Sequence, residues 1–119
     1  MGHVRVDVRI GNPNRRQEAV EVKDALVDTG ASWTCVPRNL ADQLGLEVLG
    51  VKQVTTANGV ARADQSYAFI EIEGRHTIHE VLITDAYPGV LIGVLTLEGL
   101  GFAVDPVNKR LIDSELLLL

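Results

Sequence analysis

Ala25-Leu-Val-Asp-Thr-Gly-Ala-Ser-Trp-Thr-Cys-Val-Pro37 is the stretch on which the reading of this chain turns. Apolar residues lead the backbone to Asp28, and small residues lead it away. A strand with apolar residues at its back would therefore deliver one carboxylate into a turn. Thr29 supplies a hydroxyl that both donates and accepts. Gly30 lacks a Cβ and lets another backbone, or a substrate, come close. An Asp capping a turn would explain the tripeptide taken alone. The flanking sequence has to decide between the two.

Upstream, Val4, Val6, Val8 and Ile10 alternate with charged residues, as in a half-buried strand. Gly11-Asn-Pro-Asn14 is a turn signal, and residues 19–27 form a second apolar run that ends on Asp28. Downstream, residues 37–44 have the pattern of a short helix, with Gly45 placed to end it. Residues 48–56 and 60–72 are β-type runs around Asn58-Gly59, a pair that predicts a hairpin with a type I′ turn. Glu73-Gly74 marks another turn before a strand at 76–84, and Tyr87-Pro-Gly89 breaks the chain again. Val90-Leu-Ile92 is a short apolar run ending at Gly93, with one or two helical turns expected over residues 96–100. Residues 102–104, a turn at Asp105-Pro106 and a strand at Leu111-Ile112 follow. Many short strands with regular turn signals predict a mainly β fold, a small barrel or sandwich with one or two short helices.

The composition narrows the function classes. The 119 residues suit a single domain, 1–119, and 46% hydrophobic with 23% charged residues is an ordinary globular balance. Acidic residues outnumber basic ones by 16 to 11, for a formal charge of -5, which argues against nucleic acid as a partner. Arg15-Arg16 is read as a solvated loop. No segment has the apolar length of a membrane span, and the N-terminal stretch lacks an apolar secretory core. The single cysteine, Cys35, has no internal partner for a disulfide, so a reducing, cytoplasmic location is the expectation.

Residues 25–37 resemble the active-site segment of retropepsin-like aspartic peptidases, the family of retroviral proteases and single-domain prokaryotic relatives. A second element lies in matching order. Val90-Leu-Ile-Gly93, with Leu97-Glu98 and Gly101-Phe102 after it, is similar to that family's hydrophobic-hydrophobic-Gly element and following helix. The Asn58-Gly59 hairpin falls between the two, where the family places its flap, and Asp105-Pro106 with Leu111-Ile112 resembles the end of prokaryotic members. The resemblance spans about residues 20 to 112 and implies a closed acid-protease barrel.

It also implies a mechanism. Two facing carboxylates cannot both ionise, so they share a proton and titrate as a pair. The ionised member takes a proton from water as that water attacks the peptide carbonyl, and the protonated member donates toward the carbonyl oxygen; neither metal nor cofactor is required. Only one Asp-Thr-Gly occurs here, so a two-fold homodimer would have to set Asp28 opposite its own copy. By the same resemblance Asp28, Thr29 and Gly30 are the catalytic set, with Thr29 bracing the loops across the dimer axis. Gly30, Ala31, Ser32 and the hairpin tip Ala57-Asn58-Gly59 would hold an extended protein or peptide substrate, largely by its backbone.

The chain departs from the retroviral pattern in places. Ala31 lacks the hydroxyl that pepsin-like enzymes carry there, which favours activity from mildly acidic to near-neutral pH. Ser32 and Val94 stand where retroviral enzymes carry a paired Asp and Arg; both charges are missing together, so neither is left buried alone. The hairpin tip also lacks a glycine-rich run.

The remaining candidates have plain readings. Cys35 is a packed thiol. His76 and His79 lie three apart on a strand, hence on opposite faces, which is poor metal-ligand geometry; no metal is expected. Trp33 packs beneath the loop or lines a substrate pocket. Gly89 and Gly93 lack the spacing of a phosphate loop. Glu115 and the four leucines after it either pack on their own domain or join a subunit interface. The alternative to an endopeptidase is a retropepsin-like dimerisation or peptide-binding module with weak or no catalysis, and an intact Asp28-Thr29-Gly30 speaks against it.

Overall fold

The computed structural model describes residues 4–114. Its elements in chain order are β1 (Val4–Gly11), a 3-10 turn (Arg16–Glu18), β2 (Val20–Val27), β3 (Thr34–Val36), α1 (Arg38–Leu44), β4 (Gly50–Thr56), β5 (Gly59–Ile72), β6 (Arg75–Ile83), β7 (Leu91–Ile92), α2 (Val94–Leu100), β8 (Phe102–Asp105) and β9 (Arg110–Asp113). Seven strands share one sheet in the order β1-β2-β7-β3-β6-β5-β4, and β1 pairs with β5 as well. That last pairing closes six strands into a barrel and leaves β4 outside the closure as an edge. Two short helices and the β8–β9 hairpin complete a mainly β fold, as the turn spacing predicts.

Alternation along the strands builds the core. In β1, Val4, Val8 and Ile10 are buried while Arg5, Asp7 and Arg9 are exposed. In β5 and β6, Ser66, Ala68, Ile70 and Ile72 face inward with Val81 and Ile83. Each large apolar side chain taken fully out of water contributes about 1.5–3 kcal/mol, so Ile10, Ile70, Ile72, Ile83 and Ile92, all essentially inaccessible, dominate this packing. Leu97, Leu100 and Phe102 close the core from the α2 side.

β5 serves two structures. Its first part, Gly59–Gln65, pairs with β4 to make a hairpin, and Phe69–Glu71 pairs with β1 to close the barrel. The hairpin forms where expected, but its turn differs. Thr56 pairs with Gly59, so Ala57 and Asn58 form the corner, and only Gly59 has a positive φ, at 115°. The Thr56 hydroxyl explains the shift. It accepts the Asn58 N–H at 3.1 Å and donates to the Gly59 carbonyl at 2.9 Å, pinning a corner that Asn58 enters without a left-handed backbone. The pair of left-handed residues that a type I′ turn needs is at Glu73-Gly74 instead, with φ of 50° and 82° between β5 and β6.

The other boundaries shift slightly. α2 starts at Val94 rather than 96, and β3 is a strand that the sequence reading does not expect. Gly45 ends α1 with φ 66°, as read from the sequence, and Asn12 donates to the carbonyls of Leu44 and Gly45 at 3.2 and 2.9 Å. Arg15 and Arg16 are exposed, as expected of a solvated loop, and still make contacts. Arg15 reaches the Leu44 carbonyl at 3.3 Å, and the Arg16 guanidinium lies 5.4 Å from the Phe69 ring centroid. No helix among the described residues is long and apolar enough to cross a membrane. The leucine tail, residues 115–119, lies outside the described residues.

Candidate active site

β2 runs parallel to β7, and this pairing presents Asp28. The Leu26 N–H bonds to the Val90 carbonyl at 3.1 Å and the Asp28 N–H to the Ile92 carbonyl at 3.0 Å. Ala25, Leu26 and Val27 are buried behind the carboxylate, Asp28 is half-buried, and Thr29 and Gly30 are exposed. The backbone then reverses. Ala31 N–H returns to the Asp28 carbonyl at 3.1 Å, and Gly30 N–H donates to Asp28 Oδ1 at 2.9 Å. A carboxylate that accepts this one N–H keeps lone pairs free for water or a partner.

The loop rests on α2. Val94 and Leu95 donate their N–H groups to the carbonyls of Ala31 and Ser32 at 2.8 and 3.2 Å, so the loop itself satisfies orphan donors of the helix start. Underneath, Thr34 Oγ1 lies 2.6 Å from Thr96 Oγ1 and accepts the Gly93 N–H at 3.0 Å, all within the buried interior. A Cβ on Gly93 would stand 2.5 Å from the carbonyl carbon and oxygen of Trp33. Gly93 is thus a close-approach glycine, required by the crossing of the two segments.

A cleft of about 630 Å³ lies between this loop and the β4–β5 hairpin. Asp28, Gly30, Ala31 and Ser32 line it from one side and Ala57 from the other; Asn58 and Gly59, exposed at the hairpin tip, do not. Thr29 faces a different hollow, of about 290 Å³, shared with Val94, Leu97 and Phe102. Among the described residues, Asp28 is the one carboxylate lining the cleft.

Trp33 and Cys35 form part of the cleft wall with Leu82 and Leu91. Burial pushes the Cys35 thiol up, away from the reactive thiolate. His76 is exposed beside Phe69, and His79 Nδ1 sits 3.2 Å from the Glu80 carbonyl oxygen. No cluster of three metal-ligating side chains occurs among the described residues. The threonine pair escaped the sequence reading, because the two residues lie 62 positions apart and neither segment carries a local signal for their contact.

The family model described as "gag-polyprotein putative aspartyl protease" matches residues 18–99. Solved structures with the same fold include EIAV protease complexed with the inhibitor HBY-793, at TM-score 0.68 and 18% identity, covering 98% of this chain and 94% of that one. A retropepsin-like aspartic protease from Rickettsia conorii gives 0.60 and 23%, covering 87% and 77%. Simian Foamy Virus (mac) protease gives 0.58 and 22%, covering 79% and 91%. No curated protein matches the sequence.

Proposed function

The chain belongs to the gag-polyprotein aspartyl protease family, with a retropepsin-like fold, and from that premise we propose that it is an aspartic endopeptidase acting as a homodimer. The observation that carries the reading is the presentation of Asp28. It leaves a buried strand half-exposed, at the edge of an open cleft, with a single backbone N–H on its carboxylate. Among the described residues Asp28 has no carboxylate partner within its own cleft, and the chain has one Asp-Thr-Gly. A second copy related by a two-fold axis would supply the missing acid.

In such a pair one carboxylate is ionised and the other protonated, because close like charges raise the cost of ionising both. Water between them loses a proton to the ionised Asp28 while its oxygen attacks the peptide carbonyl carbon. The protonated Asp28 gives its proton to the carbonyl oxygen. The tetrahedral diol then collapses, the C–N bond breaks and the amine leaves with a proton from the pair. Gly30 and Ala31, which line the cleft, would meet the substrate backbone. Thr29, which lines the hollow beside α2, would brace the two loops across the dimer axis. Ala57, Asn58 and Gly59 would cover the bound strand from the hairpin side.

The test is cleavage of a peptide library by the purified chain, with and without a transition-state analogue of aspartic proteases. Asp28→Asn is expected to lower kcat/KM by about 10⁴-fold or more, with the dimer still present on sedimentation. Cleavage that survives this substitution would remove Asp28 from the chemistry. A folded, dimeric chain that binds peptides but cleaves none would make it a binding module.

A further inference from the structure

The hairpin over the cleft is tied to the barrel by a charged contact on β4. Lys52 lies on β4, immediately before the hairpin residues Gln53, Val54 and Thr55 that line the cleft. Its Nζ stands 2.7 Å from Glu80 Oε2 and 4.4 Å from the centroid of the Trp33 ring. Glu80 is on β6, where Val81 and Ile83 fill the core, so residue 80 points to the opposite face of the sheet. β3 runs parallel to β6 with Thr34 opposite Val81, which sets Trp33 beside Glu80. Three segments distant in sequence therefore meet at one ammonium.

The surroundings make this contact more than a surface ion pair. The Glu80 side chain is only 14% exposed, and its Oε2 is sealed from solvent with no directed hydrogen bond among the described residues. The ammonium is its countercharge by proximity alone. A sealed carboxylate oxygen that loses its countercharge is destabilised strongly, far more than an exposed one. The indole face adds attraction for the same cation. Lifting the hairpin would draw Lys52 off both groups at once.

We propose that Lys52 is a positioning residue, a latch that holds the hairpin at a set height over the cleft by gripping Glu80 and Trp33. Trp33 directly follows Ser32 of the catalytic loop, and its carbonyl packs against Gly93. The latch therefore ties hairpin position to the loop that carries Asp28. Its effect on catalysis rests on the peptidase reading above; the latch itself does not.

Trp33 is the only tryptophan in the chain, so its emission reports the ammonium directly. The experiment compares wild type with Lys52→Met, Lys52→Arg and the double variant Lys52→Met/Glu80→Met, by Trp33 fluorescence and amide hydrogen exchange. Lys52→Met should shift the emission and speed exchange of the β4–β5 hairpin amides by about tenfold, with β1–β2 amides unchanged. Lys52→Arg should restore both. The double variant removes the stranded carboxylate, so it guards against a general loss of folding and should keep the fast hairpin. Hairpin exchange equal to wild type in both methionine variants would overturn the proposal, as would equal acceleration throughout the barrel. In a cleavage assay Lys52→Met should raise KM several-fold more than it lowers kcat. A wild type that cleaves nothing, yet shows the exchange and emission pattern, would sink the peptidase reading and leave the latch standing.

Discussion

At the scale of single residues, Asp28 was legible because its neighbours in sequence are also its neighbours in space. Ala25, Leu26 and Val27 bury, Gly30 donates to the carboxylate, and these relations lie within five positions. The threonines beneath it were not legible. Thr34 and Thr96 are separated by 62 positions, and nothing local in either segment says that the two hydroxyls meet. Their pairing follows from β3 lying antiparallel to β7, with Cys35 opposite Leu91, which brings the start of α2 beside Thr34, a tertiary fact. The physical consequence is testable. Thr34→Val keeps the shape but strands the buried Gly93 N–H and the Thr96 hydroxyl. Leaving such groups without partners costs about 1–3 kcal/mol, and the loss should appear as a lower denaturant midpoint with little change in slope. A midpoint equal to wild type would mean that the pair carries no net stabilisation.

At the scale of elements, strands were read well where alternation was long and poorly where they were short. β1, β5 and β6 carry enough alternating residues to declare themselves, whereas β3 has three residues, too few for a period to show. The turns show the same limit. Asn58-Gly59 has the residue types of a type I′ turn, yet the Thr56 hydroxyl fixes a different corner, while Glu73 takes the left-handed backbone that its type disfavours. The β8–β9 turn makes a prediction of its own. Asp105 accepts the Asn108 side-chain amide at 2.8 Å, and the N–H groups of Val107 and Asn108 at 3.0 and 3.2 Å. Asn108's side chain first, then its backbone N–H, holds the Asp105 carboxyl below the usual carboxylate range. A depressed pKa in the folded state stabilises above the unfolded value and is lost as pH falls through the folded one. Exchange at Val107 and Asn108 should therefore accelerate specifically below about pH 4, beyond the intrinsic pH dependence of amides. In Asp105→Asn that extra acid sensitivity should vanish. Its persistence would place the titrating group elsewhere.

At the scale of the whole molecule, the proposed chemistry depends on meeting a second chain. Specific activity should fall on dilution, with the rate tending to the square of chain concentration once dimers dissociate. Excess Asp28→Asn chain mixed into wild type should suppress activity by forming one-acid pairs. A rate strictly proportional to concentration over a range in which sedimentation shows dissociation would break the two-chain scheme. The crossing that supports the catalytic loop has a further meaning for how the molecule comes into being. Asp28 is made early, but the carbonyl of Ile92, the N–H of Gly93 and the hydroxyl of Thr96 that hold its loop are synthesised more than sixty residues later. Contacts so distant along the chain form late and slowly in folding. A nascent chain that has already exposed its Asp-Thr-Gly thus lacks a shaped loop until α2 has emerged, which delays any cutting power until all six barrel strands have been made.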